Sequence, residues 1–223
     1  MLQLLAPELW TLAVPLSLFG LQVGGRMVIA RVDGDLFVHS PVQPTPELLI
    51  EVRALGRVRW ILAPNDFHHL YASVWQREFP DAKVWVSSGV GRKQPGLTIT
   101  GVVVQESAPD CGDDLKLLPV AGMPLSNEIL LLHAPSKSLI TTDFLFYMPG
   151  RIGLTGGFAW MYGIDKAPTQ TLLFRSLIRD RQAFSRSLEP LRGWDFDRVT
   201  MTHNDVAEHG GRAAIGAVLG WRQ

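Results

Sequence analysis

The most regular hydrophobic pattern in the chain lies between Met27 and Ser40, where MVIARV and DLFVHS flank the dipeptide Asp33-Gly34. Two β-rich apolar runs joined by Asp-Gly signal a hairpin with a type I′ turn, which needs positive φ at both central residues. The next stretch, PVQPTPELLIEVRALG, opens on Thr45-Pro46, spaces Leu48, Leu49, Val52 and Leu55 at helical intervals and stops at Gly56. That combination predicts a helix. RVRWILA (57–63) is a continuous apolar run and reads as a buried strand. Asn65 or Asp66 then caps a helix expected to run through Leu70, Val74 and Phe79 and to end at Pro80.

Further strands are expected at KVWVSS (83–88), LTITGVVVQ (97–105), LKLLPV (115–120), EILLLHA (128–134), SLITTD (138–143) and DRVTMT (197–202). PGRIGLTGGFAWMYG (149–163), rich in glycine and aromatics, reads as a loop or lid. A long helix is expected from about Pro168 to Leu188 and a weak one from Gly211 to Trp221. No repeat, linker or low-complexity stretch divides the 223 residues, so the expectation is a single domain, 1–223. Strands with helices after particular ones suggest sheets covered by helices.

Composition narrows the function classes. Lys+Arg and Asp+Glu both count 21, and no basic cluster stands out, so a nucleic-acid partner is not expected. Hydrophobic residues at 47% and charged residues at 19% are ordinary for a globular chain. The apolar start MLQLLAPELWTLAVPLSLFGLQVGG has no basic leader, and Pro7, Glu8 and Pro15 interrupt it. It therefore reads as a segment packed on the domain of a cytoplasmic protein, without a membrane partner. Cys111 is the only cysteine, so any metal would rely on histidine and carboxylate. No basic residue near it in sequence would activate its thiol.

Candidate ligands fall where strands end. His68 and His69 follow the strand ending at Ala63, Asp143 follows 138–142, and His203 follows 197–202. In layered folds strand ends meet at one edge, and rigid strands hold ligands in place. Each residue also has a plain structural reading. His68 and His69 could be first-turn helix residues, Asp143 a cap, and His203 the start of a turn with Asn204 and Asp205. His39 and His133 read as structural, His133 as a core histidine paired with backbone, and His209 as exposed.

The order of these segments resembles the metallo-β-lactamase superfamily, an α/β fold of four layers (αββα) with metal at one edge. WILAPNDFHH places Pro64, Asp66, His68 and His69 at the positions of that family's His-x-His-x-Asp-His motif. SLITTDFLF places Asp143 at the bridging aspartate, RVTMTHND places His203 at the final histidine, and VAGMPLSNE puts Met123 where a middle histidine is expected. The resemblance implies that the first of two metal sites is lost, since its positions hold Pro64, Asp66 and Met123. It implies that the second survives in His68, His69, Asp143 and His203.

The expected cofactor is thus one divalent transition metal, zinc foremost and iron also suited. Four protein ligands would close a tetrahedral site, so the expectation includes either a higher coordination number or the withdrawal of one ligand, His68. Asp66 is a candidate catalytic base or water-positioning group, with helix capping as its plain alternative. Phe158, Trp160 and Tyr162 would form an apolar wall. The implied activity is hydrolysis of a small ester, thioester or lactone. The alternatives are a non-catalytic binding protein with a structural metal or none, and redox chemistry at iron, for which no flavin signature is present.

Overall fold

The protein, described by a computed structural model, is defined over residues 1–203 and 205–221. Asn204, expected in the turn after His203, lies outside the described residues. The chain opens with strands β1 (Gln3–Ala6) and β2 (Leu9–Val14) and a small hairpin of β3 (Ser17–Leu18) and β4 (Leu21–Gln22). It continues through β5 (Gly25–Val32), β6 (Asp35–His39), helix α1 (Pro46–Leu55), β7 (Arg57–Ala63), α2 (Ala72–Glu78), β8 (Lys83–Val86), α3 (Val90–Lys93) and β9 (Gly101–Val102). The second half holds β10 (Leu115–Pro119), β11 (Ile129–His133), β12 (Ser138–Thr141), α4 (Gly153–Tyr162), α5 (Leu172–Ser176), α6 (Arg181–Ser187), a 3₁₀ turn at Glu189–Gly193, β13 (Arg198–Met201), β14 (Val206–Ala207) and α7 (Gly211–Leu219).

Among the described residues the strands form two main sheets, ordered β1-β2-β5-β6-β7-β8-β9 and β10-β11-β12-β13-β14. Alternation along each strand assigns its faces, reset in β7 by a register shift between Val58 and Trp60. In β7, Val58, Ile61 and Ala63 join a core that also holds Leu48 and Val52 of α1 and Ala72 and Trp75 of α2. Trp60 and Leu62 point the other way, into a core shared with Leu115, Ile129, Leu131 and Ile140 of the second sheet. The outer face of that second sheet packs Leu130, Leu139 and Val199 under Phe174, Phe184 and Ile215 of α5, α6 and α7. Helices, sheet, sheet, helices: the four-layer αββα sandwich is the observed architecture. Burying each large aliphatic side chain in these layers stabilises by about 1.5–3 kcal/mol.

Several elements match their sequence signals. Asp33 and Gly34 take φ of 51° and 83°, as a type I′ turn requires. Thr45 caps α1 through its side chain, which accepts from Leu48 N. The apolar N-terminus packs as expected, with β2 pairing antiparallel to β5 from Leu9↔Ala30 to Val14↔Gly25. Among the described residues no helix is long and apolar enough to cross a membrane.

Four expectations differ. The helix after β7 starts only at Ala72, because residues 65–67 form bends and 68–71 turns instead. The run 97–105 forms only the two-residue edge strand β9. Residues 149–163 are not a loop: they contain α4. Its glycines serve the helix, since a Cβ on Gly156 would lie 2.3 Å from Arg151 O and Gly163 closes the C-terminus at φ 68°. The long helix expected over 168–188 is broken at Asp180. The Asp180 carboxylate accepts from Gln182 N and Ala183 N, starting α6 afresh, while Arg179 N and Asp180 N turn away to Gly122 O. Sequence periodicity does not report such a tertiary hydrogen bond.

Candidate metal centre

β12 and β13 are parallel neighbours, paired from Ser138↔Arg198 to Thr141↔Met201, so the residues after them emerge at the same sheet edge. Asp143 follows one strand and His203 the other. The loop after β7 reaches this edge from the first sheet: Ile129 N donates to Pro64 O and Asp66 N donates to Ser126 O, linking the two sheets at the head of β11.

There His68, Asp143 and His203 meet, each offering a ligand atom within 4.8 Å of the others. His68 Nε2 lies 3.3 Å from Asp143 Oδ2, and His203 Nε2 lies 3.5 Å from Asp143 Oδ1. The two imidazoles are 4.7 Å apart between centroids and tilted by 55°. The three side chains are 12–16% exposed, so they are fixed by packing yet reachable by water.

Neighbours hold each ligand in orientation. His203 Nδ1 lies 2.7 Å from Gly24 O. A carbonyl only accepts, so the proton sits on Nδ1 and the Nε2 lone pair faces the group. His68 Nδ1 lies 3.3 Å from Ser40 Oγ. Ser40 is buried and takes φ of 52°, a left-handed backbone rarely adopted outside glycine and asparagine. Asn65 is the hub. Its Oδ1 accepts from Phe67 N and His68 N, and its Nδ2 lies 2.7–2.8 Å from Asp143 Oδ2, Thr142 Oγ1 and Glu128 Oε2. Glu128, fully buried, also accepts from Thr142 N at 2.7 Å and from the Thr142 hydroxyl.

The electrostatics follow from this crowding. Burial disfavours the charged His68 ring, but the Asp143 carboxylate outweighs it and holds His68 above the usual imidazole range. Burial would likewise raise Asp143, yet the attraction of His68 brings it down to about 2. Burial and then Asp143 push Glu128 up to about 7. Burial and then His68 push His203 down. A buried carboxylate between two imidazoles is a place prepared for positive charge.

The donor set fits a metal ion. Two ligands on one ion with bonds of about 2.0–2.1 Å at tetrahedral angles lie about 3.3–3.4 Å apart. Each histidine Nε2 stands at about that spacing from an Asp143 oxygen, His68 from Oδ2 and His203 from Oδ1. His68 Nε2 is buried against the Asp143 carboxylate at 3.3 Å without a well-formed hydrogen bond, and a metal ion would take a ligand atom from each. Two imidazoles and one carboxylate suit zinc or iron and leave a fourth position of a tetrahedral ion free.

The other expected site residues stand elsewhere. His69 is buried but not brought to this group. Gln94 Nε2 is 3.0 Å from its Nδ1 and donates to it, so the ring proton is on Nε2 and neither nitrogen presents a lone pair to a metal. Burial and then Lys93 hold His69 below the usual range, keeping it neutral. Both histidines were expected as ligands, with His68 the one to turn away if either did; here His68 faces Asp143 and His69 is turned to Gln94. Asp66, expected as a base, has its oxygens taken by Ser87 Oγ, Gly89 N and Asn127 Nδ2 at 2.7–3.1 Å. No oxygen of Asp66 is left without a protein partner, and Lys93 Nζ donates to its backbone carbonyl at 2.6 Å.

Met123 is buried in the second-sheet core. Phe158 and Tyr162 pack on each other at 4.6 Å and beside Met148, Ala159 and Ile164, while Trp160 is 72% exposed. His133 is buried with Nδ1 2.6 Å from Ser136 Oγ, a side chain and not the backbone. His209 is exposed beside Asp197. Cys111 is buried, and burial pushes its thiol up to about 11.

Asn65, Glu128 and Ser40 escaped the sequence reading as parts of the site. Glu128 left a signal, an acid leading an apolar strand, and Asn65 was legible only as a cap.

A family model described as a domain of unknown function (DUF4336) matches residues 7–90, which include Asn65 and His68 but not Asp143 or His203. No curated protein matches the sequence. Solved structures do match. A metallo-β-lactamase from Pontibacter korlensis aligns with a TM-score of 0.65 at 11% identity, covering 100% of this chain and 99% of that one. A metallo-β-lactamase from Pseudomonas aeruginosa in its mono-zinc form aligns with a TM-score of 0.62 at 9% identity, covering 99% and 94%. A flavodiiron core from a Synechocystis species aligns with a TM-score of 0.64 at 10% identity, covering 99% of this chain and 60% of that one. The fold of this chain is that of the metallo-β-lactamases.

Proposed function

We propose that this chain is a hydrolase with a single divalent metal, zinc foremost or iron, acting on a small ester, thioester or lactone. The observation that carries the proposal is the His68–Asp143–His203 tripod, three ligands with a fourth position open, which is the pattern of a catalytic and not a closed structural ion. A metal bound there would lower the pKa of water and supply the nucleophile near neutral pH. The chain's own residues act before that: Gly24 O fixes the His203 tautomer, Ser40 and the Asn65 turn fix His68, and the Asn65 amide holds Asp143. Similarity of fold to a mono-zinc enzyme and to a flavodiiron core supports zinc or iron as the metal, while the single surviving ligand set is what supports one ion.

The surroundings favour an apolar substrate. The β3–β4 hairpin leads to Gly24 and meets α4 where Gln22 N donates to Thr155 Oγ1 at 3.0 Å. On this joined body Phe19, Leu154, Trp160 and Met161 are exposed. Apolar side chains left in water on the body that carries Gly24 suit an acyl or alkyl group better than a charged one.

Elemental analysis of the protein reconstituted with zinc or iron, followed by ester, thioester and lactone assays with and without chelator, tests the reading. One metal per chain with chelator-sensitive turnover is the expected result, with β-lactam hydrolysis absent or trace because Pro64, Asp66 and Met123 supply no first-site ligands. One metal without turnover on any substrate would favour the second reading, a binding protein with a structural metal. No bound metal would overturn the metal centre itself.

A further inference from the structure

The helical layer over the outer face of the second sheet contains a cavity of about 540 Å³ between α5, α6, the 3₁₀ turn and α7. That volume lies in the range of small-molecule sites, about 300–1,000 Å³. No residue of the metal centre lines it, so a ligand bound there is independent of the proposed hydrolase activity. Its chemistry is two-sided. Ile178, Leu188, Val218 and Trp221 give it an apolar wall. Arg175, Arg181 and Arg192 line it with one acid, Glu189, in a chain whose formal net charge is zero. Glu189 is used by Arg192 at 2.9 Å, and the Arg192 guanidinium also lies 5.0 Å from the Trp221 ring centroid. Among the described residues Arg175 and Arg181 form no ion pair.

A second observation points the same way. Gln170 lines the cavity and is buried, and its Nε2 has no hydrogen-bond partner. A buried amide N–H without an acceptor is costly, and a ligand oxygen would relieve it. Two guanidiniums without an ion pair and one buried amide donor without an acceptor form a set complementary to an oxyanion.

We propose that this cavity binds an amphipathic anion, a carboxylate or phosphate carried on an alkyl or acyl chain. The anionic head meets Arg175, Arg181 and the Gln170 amide, and the chain lies along Ile178, Leu188, Val218 and Trp221.

Calorimetric titration of the full zinc-loaded chain tests this with four probes: decanoate, decyl phosphate, decanol and decyltrimethylammonium. At least one of the two anions is expected to bind at one per chain, at least about tenfold more tightly than decanol, the cation binding weakest. The stronger of decanoate and decyl phosphate identifies the head group. The double variant Arg175→Gln/Arg181→Gln, both exposed positions, is expected to lose about tenfold or more in anion affinity while leaving decanol unchanged. Gln170→Leu should weaken the anions alone. Thermal melting checks that each variant is folded, and the exposed arginine pair serves if Gln170→Leu does not fold. Equal affinity for decanol and the anions, undiminished anion binding in the arginine variant, or no binding of either anion would overturn the proposal.

Discussion

The loop after β7 has two sides, and they do different work. Asn65 and His68, three positions apart, face the second sheet. Asn65 binds Glu128, Thr142 and Asp143, and His68 stands against Asp143 and His203. Asp66 and His69, also three apart, turn mainly to the segment after β8, where Ser87, Gly89, Lys93 and Gln94 receive them, with Ser126 and Asn127 ahead of β11 taking the remaining Asp66 groups. One turn of chain thus alternates between a face that builds the metal centre and a face that anchors the loop. Two adjacent histidines therefore belong to different structures. The ring tautomers on the two faces differ as well: His203 in the centre carries its proton on Nδ1, toward Gly24 O, while His69 accepts on Nδ1 from Gln94.

The strongest way to break this division is to charge its hub. Asn65→Asp would set a third carboxylate beside Glu128 and Asp143 and remove the amide donor both share. An uncompensated buried charge costs about 3–5 kcal/mol, so urea unfolding of the chelator-treated variant at neutral pH should show a loss of that size. A loss under about 1 kcal/mol, the scale of one ordinary hydrogen bond, would mean that Asn65 is not the hub.

Next comes the pair of histidines. His68→Ala should lower zinc affinity by more than about 100-fold, above the range of outer-shell changes. His69→Ala should leave metal content near one per chain. Equilibrium competition with a chromophoric chelator measures both, and equal losses would erase the distinction between the two sides.

How much of this was legible depends on the same residues. The hairpin at Asp33-Gly34, the cap at Thr45 and the strand 57–63 were legible because their causes are local: a turn that needs positive φ, an oxygen three residues before an N–H, an unbroken apolar run. The meeting of Asp143 with His203 was legible from their shared position after strands. The choice of His68 over His69 was not, because it depends on Gln94 and Asn65, one 25 residues away and one read only as a helix cap. The role of Glu128 was hidden for a similar reason: the acid before the strand is visible, but its partners Asn65 and Thr142 come from two other segments. The helix break at Asp180 belongs to the same class, set by Gly122 O from far upstream.

Asp66 sharpens the comparison from the anchoring side. Asp66→Ala removes the acceptor of Ser87 Oγ, Gly89 N and Asn127 Nδ2, groups packed where the Gly89 backbone approaches the carboxylate closely. Leaving buried donors unpaired should cost about 1–3 kcal/mol in urea unfolding. Zinc stoichiometry should stay at one. If Asp66 were instead the catalytic base, folding would be nearly unchanged and chelator-sensitive turnover would collapse, so the two measurements on one variant separate the roles.

The smallest expected effect lies at the far end of the anchoring face. Gln94 closes α3, its backbone N donating to Val90 O, and its amide donates to His69 Nδ1. Gln94→Ala keeps the backbone bond and removes only the side-chain donor, so the loss of stability should be about 0.5–1.5 kcal/mol, one ordinary hydrogen bond. The informative readout is the ring. With Gln94 in place, ¹⁵N chemical shifts should report His69 protonated on Nε2 and His203 on Nδ1. In the variant the His69 ring is freed to exchange tautomers while His203, held by Gly24 O, does not change. Zinc affinity should remain as it was, since His69 lies on the other side of the loop. A tautomer change at His203, or a fall in zinc affinity comparable to that of His68→Ala, would show that the two faces of the loop act as one.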